Sequence, residues 1–367
     1  MSRTLARPVS GATRIGRRSA AGPGATFGIL AGFMVAGAVG AALLSVHLHQ
    51  VSGANSPSPY GRATHAVIFV VDGAGSQSLP LDRMPNLSGL AHTGTTYSNA
   101  WVGQMMATPA ASGATIATGV FPRKHGVVAD QWLDPRSHQI VRPTSGDAVL
   151  VGSLDAVMEP RGVTPIASVI KSRMPRSRVL SVGGTNCAAA AAAGTWVADY
   201  IVCAARRARN WVPVTVAGHA LPSGAAGALN LRAPVTSRGG IAPTIEGWSL
   251  GAQDRWVSRE VVQAMRATRP ALTIVSFPEL AIVDQYAPPS NRNAMVSQLT
   301  ASLDRDIGEI VRETEREKIY SRTVFVVTSG RAMSAITSSV PTQRLSSAVV
   351  AAGGEPQYIS GDLTASI

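Results

Sequence analysis

Six apolar residues in a row, Ala66 to Val71, run directly into Asp72-Gly73-Ala74-Gly75. A strand apolar on both faces has to be covered on both faces, which is the habit of parallel sheets flanked by helices. The Asp-Gly pair then falls at the carboxyl end of that strand, where open α/β sheets place their ligand sites. Taken alone, Asp-Gly after a strand is also an ordinary turn.

Further along, apolar runs alternate with helical patterns: PNLSGLAHTG, SVIKSRM, RVLSVG, ALTIVSF, the stretch from Asn293 to Glu317, and TVFVVTS. The alternation predicts an α/β fold around a largely parallel sheet with helices on both faces. No repeat of fixed period is present. At 367 residues and 45% hydrophobic content, the chain can bury a substantial core.

The formal net charge of +12 raises the question of a nucleic-acid partner. Part of it has another explanation. Arg3, Arg7, Arg14, Arg17 and Arg18 lie in an acid-free start, followed by the uncharged Thr26 to Val46. That stretch matches the roughly 20 residues a membrane-spanning helix needs, and the arginines before it orient such a helix with its N-terminus in the cytoplasm. A cleaved signal peptide is the competing reading, with Ser52 and Ala54 near a cleavage site. The expected organisation is a basic cytoplasmic segment (1–25), a transmembrane signal anchor (26–46), a linker (47–64) and an extracytoplasmic domain (65–367) at the cell membrane. Arg206, Arg207 and Arg209 form a local basic cluster with little aromatic interleaving, which reads as a solvated face; no nucleic-acid partner is expected.

Cys187 and Cys203 are the only cysteines. An oxidising compartment permits a bridge between them, worth about 3 kcal/mol by loop-closure entropy; two buried thiols are the alternative.

Six segments in order carry a family resemblance. VVDGAGSQSL is followed by MPNLSGLAHTGTTYSNAW and then AASGATIATGVFPRKHGVVADQWLDP, with SVGGTNCAAAAAAGTWVADYIV, ALTIVSFPELAIVDQYAPP and TVFVVTSGRAM behind them in order. This order resembles the alkaline phosphatase superfamily, in particular its type I phosphodiesterase and nucleotide pyrophosphatase branch, over residues 65 to about 335. The resemblance implies an alkaline-phosphatase-like α/β/α domain. It also implies a site in which two zinc or similar divalent ions flank a Ser or Thr that attacks phosphorus, the metals lowering the nucleophile's pKa and clamping the attacking and leaving oxygens.

Set against that pattern, most of the expected side chains are missing. Asp72 matches a metal-binding Asp. The nucleophile position holds Pro109, which has no hydroxyl. Thr108 precedes it and reads either as a displaced nucleophile or as the N-cap of a helix with proline in its first turn. The family's next Asp and His positions hold Ala281 and Gln285, with Glu279 and Asp284 as neighbouring carboxylates that have ordinary solvated explanations. The last Asp-His pair is replaced by Gly330 and Arg331, a cation where a metal would bind. No histidine follows His219, and carboxylates alone favour harder ions than zinc. Asp130 stands where the branch has a substrate-contacting Asn. His125 reads as a packing or loop-capping residue.

Two functions remain open. One is a membrane-anchored extracytoplasmic protein that no longer hydrolyses phosphoesters, needs no cofactor, and binds an envelope protein or a phosphate-containing ligand. The other is a divergent phosphoesterase using Asp72 and Thr108 with a divalent metal such as zinc. A pair formed by Arg331 and Asp72 is the contact that would close the old site.

Overall fold

The computed structural model describes residues 63–75, 79–104, 106–143, 152–184, 197–207, 210–215, 249–287, 289–332, 341–356, 358–360 and 364–366. The expected anchor at 26–46 and the basic segment before it lie outside the described residues. No helix among the described residues is long and apolar enough to cross a membrane.

Along the chain the elements are β1 (His65–Val71), α1 (Pro85–Thr93), α2 (Pro109–Thr118), α3 (Pro122–His125), β2 (Trp132–Leu133), β3 (Ile140–Val141), α4 (Gly152–Met158), α5 (Ile166–Arg173), β4 (Val179–Gly183), β5 (Tyr200–Arg207), β6 (Asn210–Thr215), α6 (Ala252–Thr268), β7 (Leu272–Phe277), α7 (Glu279–Tyr286), α8 (Arg292–Arg316), β8 (Thr323–Thr328), α9 (Thr342–Ala351), β9 (Tyr358–Ser360) and β10 (Thr364–Ser366). Six of the strands form one sheet in the order β6-β5-β4-β7-β1-β8. All its pairings are parallel except that of β5 with β6, an antiparallel edge. The expected α/β architecture with a largely parallel sheet is therefore present.

The sheet explains why β1 is apolar throughout. Val67, Phe69 and Val71 join a core with α6 and α8, through Trp256, Val257, Leu303 and Ile307. Ile68 and Val70 point to the opposite face, where they meet Ala110 and Ala114 of α2, Leu154 and Met158 of α4, and Ala167 of α5. Phe69 stacks with Phe277 at 6.3 Å and with Phe325 at 6.5 Å, tying the three strands β7, β1 and β8 across one face. Edge strand β8 lacks this double cover, and Val324 and Val326 are exposed. Cys203 of β5 is disulfide-bonded; Cys187 lies outside the described residues.

Candidate functional site at the carboxyl end of β1

Asp72 is buried at the end of β1. Its main chain is held from two sides: its N–H donates to Phe277 O (2.9 Å), and its C=O accepts from Ala281 N (3.0 Å) in the first turn of α7. Gly73 follows with φ +89° and donates to Arg331 O (3.1 Å). A Cβ on Gly73 would lie 2.6 Å from Ala281 N, so this turn requires glycine on grounds of both conformation and space. β1, α7 and the turn after β8 thus converge within a few ångströms of Asp72.

Arg331 closes that convergence. Its Nε donates to Asp72 Oδ1 (2.9 Å) and its Nη2 to Oδ2 (3.0 Å), the two-pronged geometry that fits a guanidinium to a carboxylate. Burial pushes the Asp72 carboxyl up, while Arg331 and the Gly73 N–H pull against it. The carboxylate that would bind a metal has both oxygens engaged by a cation carried on the chain itself.

The other positions at which the resemblance implies ligands, 281, 285 and 330, differ in their surroundings. Ala281 is buried against Gly73, with its backbone N–H committed to Asp72. At Gly330, a Cβ would lie 2.8 Å from Ser112 Cβ, and the Gly330 carbonyl accepts the Ser112 hydroxyl (2.6 Å). A carboxylate at position 330 needs α2 to move away. Gln285 belongs to α7, and its side chain lies outside the described residues. Among the described residues no group of three or more His, Cys, Asp or Glu side chains is arranged to hold a metal ion. The residues present do not fit a two-metal centre.

Helix α2 is pinned over this region by a continuous polar chain. Gln104 Nε2 donates to Ser112 Oγ (3.0 Å), and Gln104 Oε1 accepts from Thr115 Oγ1 (2.8 Å). Thr115 Oγ1 lies 3.0 Å from His125 Nε2, and His125 Nδ1 accepts from Val127 N (3.1 Å). With Nδ1 accepting a backbone N–H, the neutral ring carries its proton on Nε2 and donates to Thr115. Burial, helped by the charge on Arg161, pushes the His125 pKa down to about 4, which fits that neutral role. His125 is a structural residue here.

At the start of α2, Thr108 supplies the N-cap position and Asp130 the capping bond. Thr108 occupies the N-cap position of α2 with extended backbone and Pro109 next to it, yet its hydroxyl makes no capping bond. Its Oγ1 is buried without a hydrogen-bond partner. The cap comes instead from Asp130, whose Oδ1 accepts from Ala110 N (2.8 Å). The positive end of α2, a natural anion site, is met by a carboxylate of the chain.

Glu279 corrects another expectation. It is buried rather than solvated. Its Oε2 accepts from Asp254 N (3.1 Å) at the start of α6, while its own N–H donates to Asp254 Oδ1 (3.3 Å) at the start of α7. Two helix N-termini cap each other. Burial raises Glu279 to about 8 and holds Asp254 far above the ordinary carboxylate range, and the nearby Asp306 adds to both shifts. Asp284 is half-buried in α7 and is raised by burial.

A family model for type I phosphodiesterase / nucleotide pyrophosphatase matches residues 66–350. The chain belongs to this family. Members of the family are typically metal-dependent. No curated protein matches the sequence. Among solved structures, the chain is similar to phosphonoacetate hydrolase from Sinorhizobium meliloti 1021 in complex with phosphonoformate, at 16% identity and TM-score 0.42 over 69% of this chain and 54% of that one. It is also similar to murine ectonucleotide pyrophosphatase/phosphodiesterase 5, at 13% identity and TM-score 0.39 over 73% of this chain and 57% of that one. This chain therefore spans little more than half the length of either.

Proposed function

We propose that this protein is a membrane-anchored, extracytoplasmic member of the phosphodiesterase family with an alkaline-phosphatase-like domain that has exchanged two-metal phosphoester hydrolysis for a binding or scaffolding role. The observation that carries this reading is the two-pronged Arg331–Asp72 pair. A guanidinium supplies fixed positive charge where a metal would, but it has no coordination site for an attacking or leaving oxygen, so it neutralises Asp72 without offering the clamp that phosphoryl transfer uses. Ser112 at Gly330 and Asp130 on the α2 N-terminus support the same reading, because each occupies space or potential that a metal ligand or a substrate phosphate would need. The anchor and the extracytoplasmic side rest on the acid-free arginine segment and the uncharged 26–46 stretch. The ligand class favoured is an envelope protein or a phosphate-containing molecule.

A second reading is favoured by one observation. The Thr108 hydroxyl is buried and unpartnered one residue before α2, as a nucleophile held ready would be. Turnover of bis(4-nitrophenyl) phosphate by the full chain, with and without added zinc, separates the two. No turnover above buffer is expected. Zinc-dependent turnover that Thr108→Ala abolishes would replace the binding reading with that of a divergent phosphoesterase.

A further inference from the structure

Away from the β1 site, α6 and α8 carry arginines at matching intervals. On α6 they stand at 255, 259 and 266; on α8, beyond Arg292 in its first turn, they stand at 305, 312 and 316. Steps of four and seven keep each set on one helical face, with seven residues advancing about 10 Å.

The cross-helix bonds show how the two faces are aligned. Arg255 reaches Ser302, Ser258 reaches Asp306 O, and Arg266 reaches Glu313, at sequence separations of 47, 48 and 47. A constant separation means that the helices run side by side in the same direction, so the two rows form one ledge. Arg259, Arg305 and Arg312 are exposed.

Most acids of α6 and α8 lie beneath the ledge, and exposed Glu309 stands in the Arg305–Arg312 row. Asp306, Glu260 and Glu313 are buried. Among the described residues α6 exposes no acid, and α8 exposes Glu309 and Glu315. Arg266 and Arg316 share Glu313 (2.7 and 2.9 Å). Arg255 stands 3.8 Å from Asp306, and Arg259 and Arg305 act on that carboxyl only at longer range. Burial raises Asp306 to about 7 and Glu260 to about 8, so near neutral pH protons on these acids leave much of the arginine charge uncancelled. None of the large exposed apolar side chains belongs to α6 or α8.

We propose that the α6–α8 ledge docks on the phosphate headgroups of an anionic lipid bilayer. A straight, two-row array of guanidiniums is complementary in charge to a planar phosphate array, and each arginine at such a surface contributes favourably. Arginine also pairs with phosphate through two parallel bonds. The absence of large exposed apolar side chains on α6 and α8 makes this contact electrostatic and confined to headgroup depth, hence released by salt.

Arginine footprinting tests it. The full chain is combined with phosphatidylcholine nanodiscs, with or without phosphatidylglycerol, and labelled with phenylglyoxal before mass spectrometry. Labelling of Arg259, Arg305 and Arg312 is expected to fall about fivefold in the anionic discs and to recover in high salt, while exposed Arg123 and Arg136 remain unchanged. Equal labelling of the ledge in both discs would overturn the proposal, as would protection spread evenly over all five arginines. Protection by soluble polyphosphate without protection by anionic discs would overturn it too, and would make the ledge a site for a free polyanion. The Arg259→Gln/Arg312→Gln variant, which changes two exposed residues, is expected to lose the remaining protection at Arg305.

Discussion

Asp72 at the end of β1, and Asp254 and Glu279 at the starts of α6 and α7 together with Asp306 of α8, are two ways of burying carboxylates. Asp72 is matched by a full positive charge, with both oxygens bonded to Arg331. In the other group Glu279 and Asp254 cap each other's helices, Asp254 Oδ2 and both Asp306 carboxylate oxygens lack hydrogen-bond partners, and Arg255 stands 3.8 Å from Asp306. The two sites share an element, since Ala281 of α7 binds Asp72 O two residues after Glu279. An ion pair fails abruptly when one partner is removed, because the remaining charge is stranded. A protonated, capped cluster gives way gradually as pH rises.

The largest expected effect follows from that contrast. Arg331→Ala leaves Asp72 buried and unpaired, and its destabilisation is expected at roughly 3–5 kcal/mol in denaturant unfolding. The double variant Asp72→Asn/Arg331→Met removes both charges and is expected to recover most of that loss. If the double variant is as unstable as Arg331→Ala, the pair is not what holds this corner.

A smaller loss is expected in the second region. Glu279→Ala uncaps α6 and is expected to cost about 1–3 kcal/mol. Glu279→Gln keeps an acceptor without the charge and is expected to sit near wild type at pH 6. Equal damage from both variants would assign the effect to ionisation rather than to capping.

Cap removal at α2 ranks next, with Asp130→Ala expected to cost about 1 kcal/mol. Because it uncovers the helix N-terminus, it is also expected to raise affinity for inorganic phosphate. Unchanged phosphate affinity would show that Asp130 is not what screens that end.

The last expected effect is a slope with pH rather than a single loss. Glu260 and Glu279 near 8 and Asp306 near 7 bind protons more tightly when folded than their ordinary carboxylate values allow. Their stabilising contribution is complete below the ordinary carboxylate range and is lost as pH rises to about 8. His125 has the opposite sign: its contribution is present above its ordinary 6.5 and is lost as pH falls to about 4. Melting temperature is thus expected to fall from pH 6 to pH 8, and Glu260→Gln is expected to flatten part of that fall. An unchanged slope in this variant would remove Glu260 from the titrating set.

The parts legible in sequence were those written locally. An apolar run buried on both faces announced β1, Thr-Pro marked the start of α2, and the arginine in the last motif pointed to its partner at Asp72. The helix caps were not legible. Met84, Thr108, Gly251 and Pro278 stand at the N-caps of α1, α2, α6 and α7, and none caps with its side chain. The work passes to carboxylates far along the chain. Asp304 of α8 accepts from Leu87 N (2.9 Å) and Asn86 Nδ2 (2.7 Å) at the start of α1, across more than 200 residues. Asp130 serves α2, and Glu279 and Asp254 serve each other's helices. A cap taken from another element leaves no local pattern, which is why Glu279 read as solvated and why the bond from Asp130 to α2 was not anticipated.

The most direct test of the central claim, that Arg331 stands in for metal at Asp72, is metal content by mass spectrometry. The folded full chain is incubated with zinc, magnesium, manganese or calcium and then desalted. The Arg331–Asp72 account predicts a folded protein that retains no stoichiometric metal; near two metals per chain would contradict it.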